Sequence, residues 1–372
     1  MDFDFSDEQQ QLREAAQRWV EKAYPFEHRR AIIAAGGFTR DTWSALAELG
    51  LTALQTPETY GGMGLGPIEA MVVMEEMGRG LVLEPLAQSF VATRVLSQHA
   101  AASEQASWLP KVASGEALIV LAHQERRSRY RLESCESTAV KTAQGYALNA
   151  QKSLVPAGDR ADAFIVPAML EGKLALFLLR RNAPGVTTSA YQTQNGSRAA
   201  EMEAQQSPAT LITTEGICAL ELAADTASAA ICAEAVGAMD VVLKITAEYL
   251  NQRKQFGVPI ASFQALRHRI ADMKMQLELA RSMSYYAHLK LQSPANERRR
   301  ALARARVQLS QSMRFVGQQA IQLHGGIGVT DEYILSHYFK HLTQLEMSYG
   351  DGQHHLSEVS ARMLETAGVG ED

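Results

Sequence analysis

Apolar residues recur at helical spacing through the first third of the chain. The segment Ser6-Asp7-Glu8-Gln9 is a capping-box pattern, and the apolar positions after it predict an amphipathic helix. A second helix is predicted from about Arg40 to Leu49, with Gly50 suited to the left-handed position after its end. Pro67 fits the first turn of a further helix. This part of the chain is therefore predicted to be all-helical.

The pattern changes near residue 117, where short apolar or alternating runs separated by Gly, Asn, Asp and Pro predict a small β domain. These runs are residues 118–121, 138–140, 146–148, 163–166 and 174–178. From about Asp225 long helical periodicity returns, which is typical of a helical bundle. We therefore predict an α+β fold that is mainly α. Its domains are an N-terminal all-α domain at 1–116, a middle β domain at 117–224 and a C-terminal four-helix bundle at 225–372.

The composition is that of an ordinary soluble protein, with 372 residues, 46% hydrophobic and 21% charged, and a formal net charge of -5. These values argue against a disordered protein and against a dedicated nucleic-acid binder. Three cysteines fit neither a disulfide framework nor a CxxC metal site, and the N-terminus shows no signal segment. No apolar run approaches the roughly 20 residues that cross a bilayer. We expect a cytoplasmic protein without a membrane span and without a nucleic-acid partner.

One arginine and several glycines form a series in the C-terminal half. The series consists of Arg253-Lys254-Gln255-Phe256-Gly257, Phe263-Gln264 and Gln322-Leu323-His324-Gly325-Gly326-Ile327-Gly328. A planar guanidinium offers two parallel donors to a phosphate, and adjacent glycines let backbone amides approach a ligand closely. Taken alone, Arg253 could equally end a helix while the glycines only turn the chain. In this order and spacing, the series resembles the flavin-binding elements of the acyl-CoA dehydrogenase family.

The resemblance covers essentially the whole chain and implies a fold and an activity. The activity is that of a FAD-dependent oxidoreductase, which dehydrogenates the α,β-bond of an acyl-CoA thioester and passes electrons to an acceptor flavoprotein. The end of the chain is most similar to the small subunits of bacterial two-subunit members such as pimeloyl-CoA dehydrogenase. The resemblance also implies contacts to a flavin held mostly by a neighbouring subunit. These contacts fall on Arg253, Gln255, Phe256, Phe263, Gln264, Gln322, Gly325 and Gly326.

The middle domain departs from the family pattern. Family members place a Trp-Ile-Thr strand against the flavin ring, and this chain has Leu154 and Pro156 at the tryptophan and threonine positions. Proline has neither a hydroxyl nor an N–H group. The loop at residues 126–131 contains four arginines in place of the family's Thr-Glu-Pro-Gly-like loop, and it is either a solvated surface or a phosphate contact. We therefore expect an eroded flavin-ring site in this chain.

The family's catalytic glutamate is also missing, because its position falls on Tyr349 or Gly350. Some members carry the carboxylate on an earlier helix, where this chain has Ala227. Two displaced carboxylates stay open as the base that removes the α-proton: Asp351, one residue away, and Glu234, two helical turns after Ala227. Asp351 is the catalytic residue predicted for a self-sufficient enzyme. Either carboxylate needs a rearrangement to reach the α-carbon.

Three functions stay open at this point. The first is a subunit of an acyl-CoA dehydrogenase built from two unlike chains in a heterotetramer, in which the partner supplies the base. The second is a homotetrameric enzyme that uses Asp351 or Glu234. The third is a non-catalytic acyl-CoA-binding scaffold. No metal site is expected, because the adjacent His354 and His355 would point about 100° apart on a helix.

Overall fold

The computed structural model describes residues 5–143 and 145–363. Residues 1–4, 144 and 364–372 lie outside this description, and with them the outermost residues of the first and last predicted domains. Of the described residues, 58% lie in helices and 18% in strands, so the predicted α+β fold, mainly α, is confirmed.

Helices precede and follow the sheet in the described part of the chain. The preceding helices are α1 (Asp7–Ala23), α2 (Phe26–Ala34), α3 (Arg40–Glu48), α4 (Pro67–Gly80), α5 (Leu86–His99) and α6 (Ala102–Ala113). The sheet strands are β1 (Ile119–Leu121), β2 (Thr138–Thr142), β3 (Gly145–Pro156), β4 (Ala163–Leu170), β5 (Lys173–Arg180), β6 (Val186–Gln192) and β7 (Arg198–Thr213). The later elements are α7 (Gly216–Gln252), β8 (Lys254–Gln255), β9 (Val258–Pro259), α8 (Gln264–Lys290), α9 (Ala295–His324), α10 (Ile334–Met347) and α11 (Gly352–Ala361).

The predicted helix ends are confirmed by their capping contacts. The Gln9 backbone N–H donates to Ser6 Oγ at 3.2 Å, and the Ser6 N–H donates to Gln9 Oε1 at 3.0 Å, which completes the capping box of α1. Helix α3 stops at Glu48, and Gly50 follows with a φ of 77°. Pro67 is the first residue of α4.

Internal contacts divide the chain into two compact units. The helical unit comprises the described residues of Met1–Arg29, Pro67–Val82 and Ser228–Asp372. The sheet unit comprises Arg30–Gly66 and Leu83–Ala227. Each unit has its own cluster of buried apolar side chains.

In the helical unit, α4 and α7 pack with their backbones in close contact. A Cβ atom on Gly78 would lie 1.9 Å from the Glu234 carbonyl oxygen, and one on Gly237 would lie 1.8 Å from the Glu75 carbonyl oxygen. Glycine is therefore required at both positions, because any side chain would push the helices apart. Glu75 is buried beside this contact. Its carboxylate pairs with Arg13 at 3.4 Å and with Arg281 at 3.2 Å, which balances its negative charge.

In the sheet unit, the strands follow the order β1-β4-β2-β3-β7-β5, with β6 added beside β7. Strand β4 also pairs with β5, so the sheet closes on itself around an apolar interior. Strands β1 and β2 lie parallel to β4, while the other pairs within this sheet are antiparallel. The buried Lys152 amine donates to Glu125 Oε1 at 2.6 Å and to the Pro167 carbonyl at 2.9 Å.

Helix α7 corrects one expectation from the sequence. Its 37 residues include an 18-residue window with a mean hydropathy of 1.5, so its length and composition are sufficient to cross a membrane. However, 78% of that window is buried inside the protein. The apolar residues of α7 are therefore those of a buried core helix.

Candidate functional site

The motif that begins at Arg253 forms a hairpin directly after α7. Strands β8 and β9 pair through Lys254 with Pro259 and Gln255 with Val258. The two residues between the strands, Phe256 and Gly257, have φ values of 53° and 81°. Two positive φ angles are what a tight type I′ hairpin turn requires, and glycine accepts this conformation more easily than phenylalanine does.

The hairpin turn presents an aromatic side chain to solvent. Phe256 is 92% exposed, and its ring meets the ring of Phe263 edge to face, with 6.1 Å between the centroids. Phe263 is itself 39% exposed and precedes the first residue of α8. The two rings together form a small exposed apolar patch beside the polar side chains of the predicted site.

Four polar side chains of the predicted flavin site are exposed, namely those of Arg253, Gln255, Gln264 and Gln322. Within residues 5–143 and 145–363, none of these four side chains makes a hydrogen bond or an ion pair. Their donors are therefore available to an external partner.

The predicted glycine turn lies at the end of α9. Gly325 has a φ of 64° and a ψ of -141°, a conformation that is essentially restricted to glycine. The φ of Gly326 lies outside the left-handed range. A Cβ atom on either glycine would have no atom within 4 Å, so open space lies against this stretch of backbone. A phosphate group needs such a space to reach backbone amides.

The ends of α7 and α9 lie side by side in the helical unit. The rings of Tyr249 and His324 stack with 4.3 Å between centroids, and the Tyr249 hydroxyl donates to the His324 carbonyl at 3.3 Å. Tyr249 is one turn before Arg253, and His324 directly precedes Gly325. The structure therefore brings together the two motifs that lie about 70 residues apart in the sequence.

In the sheet unit, the two positions that depart from the family pattern lie at the end of β3. The register between β3 and β7 shifts between Lys152 and Val155, and inside this irregularity Leu154 has a φ of 53° and is 50% exposed. Its N–H donates to the Tyr191 hydroxyl at 3.1 Å. Pro156 is half-buried and pairs with Ala199.

A network of polar side chains surrounds Leu154. The Tyr191 hydroxyl donates to Glu201 Oε1 at 3.0 Å, and Ser153 Oγ donates to Glu201 Oε2 at 3.0 Å. Burial, together with the hydrogen bond to Glu201, raises the pKa of Tyr191 to about 12. A hydrogen-bonded network that carries a carboxylate thus lies beside the half-exposed Leu154.

A groove of about 710 Å³ runs along the outer face of the sheet beside this network. Its carboxylates include Glu136, Glu201 and Glu203. Two arginines of the predicted loop line it as well, but Arg126 pairs with Glu201 at 3.6 Å and Arg127 with Glu136 at 3.5 Å. These contacts favour a solvated, charge-balanced surface over a phosphate site.

Both candidate bases have structural partners. Asp351 caps α11, because its Oδ1 accepts from the His354 backbone N–H at 2.8 Å. Glu234 Oε1 lies 3.1 Å from Nε2 of the buried His341. Ala227, at the alternative position of the base, is buried.

Arg306 binds the backbone of the segment in which the family's glutamate is missing. This fully buried guanidinium donates to the carbonyl oxygens of Ser348 and Gly350 at 2.8 Å each. Tyr349 and Gly350 both have positive φ values, 55° and 119°. The turn is therefore anchored through its backbone, and the side chain between the anchors is a tyrosine.

Comparison with known proteins identifies the family. Residues 215–364 match the family described as Acyl-CoA dehydrogenase, C-terminal domain, and residues 6–116 match Acyl-CoA dehydrogenase, N-terminal domain. The acyl-CoA dehydrogenase IpdE2 of Mycobacterium tuberculosis is 32% identical over 336 residues, which cover 90% of each chain. The chain belongs to the acyl-CoA dehydrogenase family.

Solved structures agree with this assignment. A chain of the ChsE4-ChsE5 complex from Mycobacterium tuberculosis matches with a TM-score of 0.90 at 26% identity, over 98% of this chain and 100% of that chain. A variant of the Tcur3481-Tcur3483 steroid acyl-CoA dehydrogenase matches with a TM-score of 0.90 at 28% identity, over 97% and 99% of the two chains. The predicted fold and family are confirmed.

Acyl-CoA dehydrogenases are FAD-dependent oxidoreductases, so the predicted enzyme class and cofactor are also confirmed. The residues of the helical unit fit one part of this cofactor. An exposed guanidinium, three exposed amides and an open glycine backbone suit a pyrophosphate and an adenine. FAD, when bound, accepts the hydride that leaves the β-carbon of the thioester.

One cluster differs from the geometric expectation for adjacent histidines. The side chains of His354, His355 and Glu358 converge, with potential ligand atoms within 4.8 Å of one another. Burial lowers the pKa of His355 to about 4. However, Arg299 donates to Glu358 at 2.7 Å and Arg306 to His355 Nε2 at 3.4 Å. These two positive charges oppose a cation, so the cluster is best explained as an anchor for α11.

Sequence reasoning missed three side chains that shape these sites, namely Tyr191, Glu201 and Tyr249, and it gave no role to His324, which lies inside the predicted motif. Tyr249 had a detectable signal, since it lies one helical turn before Arg253. Tyr191 and Glu201 lie on neighbouring strands whose pairing only the tertiary structure defines.

Proposed function

We propose that this chain is one subunit of an acyl-CoA dehydrogenase composed of two unlike chains. In this proposal, the face formed by the hairpin and the glycine turn contacts a FAD whose ring lies in the partner subunit. The partner also supplies the base that removes the α-proton. The chain on its own is then not a complete enzyme.

The observation that carries the proposal is the contrast between the two candidate flavin regions. The side chains of Arg253, Gln255, Gln264 and Gln322 are exposed and make no hydrogen bond or ion pair within the described residues. Around Leu154, by contrast, Tyr191, Ser153 and Glu201 already satisfy one another. A site kept for a shared cofactor retains free donors, whereas in a site no longer used the polar side chains can pair with one another.

The candidate bases support the same conclusion. Removal of the α-proton needs a carboxylate or similar base within hydrogen-bond reach of the α-carbon. Asp351 accepts a hydrogen bond as the cap of α11, and Glu234 pairs with His341. A phenol normally has a pKa of about 10 and keeps its proton at neutral pH, so a tyrosine is a poor replacement for the missing glutamate. A partner that carries a complete base removes this difficulty.

The relatives suggest the assembly and the class of substrate. One matching structure is a complex of two named chains, ChsE4 and ChsE5, and another is described as a steroid acyl-CoA dehydrogenase. We propose a heterotetramer that acts on a bulky acyl-CoA, such as the thioester of a steroid side chain, and passes electrons to a flavoprotein acceptor. We also propose a cytoplasmic location and a division into domains at 1–116, 117–224 and 225–372.

The test is to purify the chain alone and together with a candidate partner, a second chain of the acyl-CoA dehydrogenase family that carries the catalytic glutamate. We expect the lone chain to contain little FAD and to lack activity, and the complex to contain FAD and turn over acyl-CoA. Arg253→Gln in this chain should weaken FAD binding by the complex. One FAD per chain and full turnover in the lone protein would overturn the proposal.

The same experiment distinguishes the two alternatives. A homotetrameric enzyme would be active alone and would lose turnover, but not FAD, when Asp351 or Glu234 is replaced by its amide. A non-catalytic scaffold would bind acyl-CoA in calorimetry without FAD and would stay inactive with every partner.

A further inference from the structure

A buried aromatic stack connects the two segments of the helical unit that the proposed function assigns to FAD. We propose that His324 is a positioning residue, which fixes the distance between Arg253 and the Gly325–Gly326 turn so that both contact one pyrophosphate group. This inference rests on the proposed function, because it concerns the same shared FAD. It assigns to a histidine inside the glycine motif a role distinct from direct contact with the ligand.

The imidazole of His324 is held on several sides. It is 3% exposed, and its Nδ1 lies 2.9 Å from the Ala320 carbonyl oxygen. A carbonyl only accepts, so Nδ1 carries the proton in this contact. In the neutral ring Nε2 is then an acceptor, and it faces the Tyr333 hydroxyl at 3.4 Å. The ring of Tyr249 covers one face at 4.3 Å.

The neutral form is consistent with the surroundings of the ring. Burial lowers the pKa of His324, although the hydrogen bond to Ala320 partly opposes this effect. A neutral ring with one donor and one acceptor satisfies both the carbonyl and the Tyr333 hydroxyl. A protonated ring would instead donate from both nitrogens. The Tyr333 hydroxyl would then have to reorient in order to accept a hydrogen bond.

The stack is connected to both binding segments through the backbone. The Arg253 backbone N–H donates to the Tyr249 carbonyl at 2.8 Å, so the residue that carries the guanidinium lies one turn after the stacked tyrosine. On the other side, Gly325 is bonded directly to His324, and the Tyr249 hydroxyl donates to the His324 carbonyl. A continuous path of short contacts therefore runs from Arg253 to the glycine turn.

This arrangement has a physical purpose for a ligand with two adjacent phosphates. The guanidinium and the glycine backbone come from the ends of different helices, and a displacement of about 1 Å between them weakens charge-assisted hydrogen bonds. If His324 only filled space, any apolar side chain of similar size would serve. If it positions the segments, its hydrogen bonds and its stacking should both affect FAD affinity.

The test uses the complex of this chain with its partner, after removal of FAD, and measures the dissociation constant for added FAD. His324→Leu removes stacking and hydrogen bonds, and we expect affinity to fall on the order of tenfold. His324→Phe keeps the stacking but removes both nitrogens, and we expect an intermediate loss. The phenylalanine variant keeps the test decisive if the leucine variant does not fold.

A matched control is available in α8. His288 is also buried, and its Nδ1 lies 2.8 Å from the carbonyl of Ser284, four residues earlier, as His324 Nδ1 does from Ala320. It lies outside the proposed FAD contacts. His288→Leu should therefore lower the unfolding temperature as His324→Leu does, but should leave the FAD dissociation constant unchanged.

A double-mutant cycle separates positioning from general stability. If His324 acts by placing Arg253, its effect on FAD affinity should shrink when Arg253 is already glutamine, because the two changes then remove the same interaction. Equal effects of His324→Leu in both backgrounds, or wild-type affinity in His324→Leu and His324→Phe, would overturn the inference. Wild-type affinity in Arg253→Gln would instead overturn the proposed function.

Discussion

Replacement of Gly326 by alanine separates the fold of the glycine turn from its proposed role. Gly326 has no left-handed φ, and a Cβ atom on it would meet nothing within 4 Å. The folded chain should accept alanine and gain up to about 1 kcal/mol, because alanine restricts the unfolded chain. The added methyl group would project into the space that we assign to a phosphate.

The expected loss of affinity follows from the hydrogen bonds at stake. A hydrogen bond to a charged group contributes about 1.5–3 kcal/mol. Its loss corresponds to a roughly ten- to hundredfold larger dissociation constant for FAD. Equilibrium titration of the FAD-free complex measures this constant. Thermal unfolding of the lone chain measures stability. The predicted signature of Gly326→Ala is weaker FAD binding at unchanged or slightly raised stability.

Two further glycines provide controls. Gly325→Ala should weaken FAD binding and also cost about 1–3 kcal/mol of stability, because alanine strongly disfavours the dihedral angles of Gly325. Gly172, in the turn between β4 and β5, has a φ of 80° and open space around a Cβ atom. Gly172→Ala should therefore cost stability without changing FAD affinity. Unchanged FAD affinity in Gly326→Ala would refute the assignment of this backbone to the phosphates.

Four other perturbations have defined outcomes. Lys152→Met should destabilise the protein by about 3–5 kcal/mol in urea unfolding, since it leaves a buried carboxylate unpaired, and adding Glu125→Gln should recover most of the loss. Asp351→Asn keeps the cap of α11 and should leave turnover of the complex unchanged, whereas Asp351→Ala should lower the free energy of unfolding by about 1 kcal/mol. Lost turnover in the asparagine variant would identify Asp351 as the base. Although burial opposes ionisation, Lys152 lowers the pKa of Glu125 from 4.5 to about 2, so its stabilisation is complete above pH 4.5 and is lost as the pH falls toward 2. Burial lowers the pKa of His288 from 6.5 to about 4, so unfolding by acid should begin below pH 6.5; His288→Leu should flatten the stability profile between pH 6.5 and 4, and an unchanged profile would contradict this.

The helix ends show how far local patterns extend. Ser6, Gly50 and Pro67 predicted the ends of α1, α3 and α4, because capping contacts and left-handed caps involve residues only a few positions apart. The apolar length of α7 did not by itself distinguish a core helix from a membrane span. Only its burial among other elements made that distinction.

By itself, the sequence determined the fold, the family and the segments proposed to contact FAD, because these depend on short motifs and their spacing. The tertiary structure decided which side chains in those segments have partners. It showed that Asp351 caps a helix, that Glu201 accepts a hydrogen bond from Ser153 beside Leu154, and that Tyr249 stacks on His324. These contacts join residues that are distant along the chain or that turn toward each other only through a particular backbone conformation. No local pattern encodes them, since they arise when separate elements pack together.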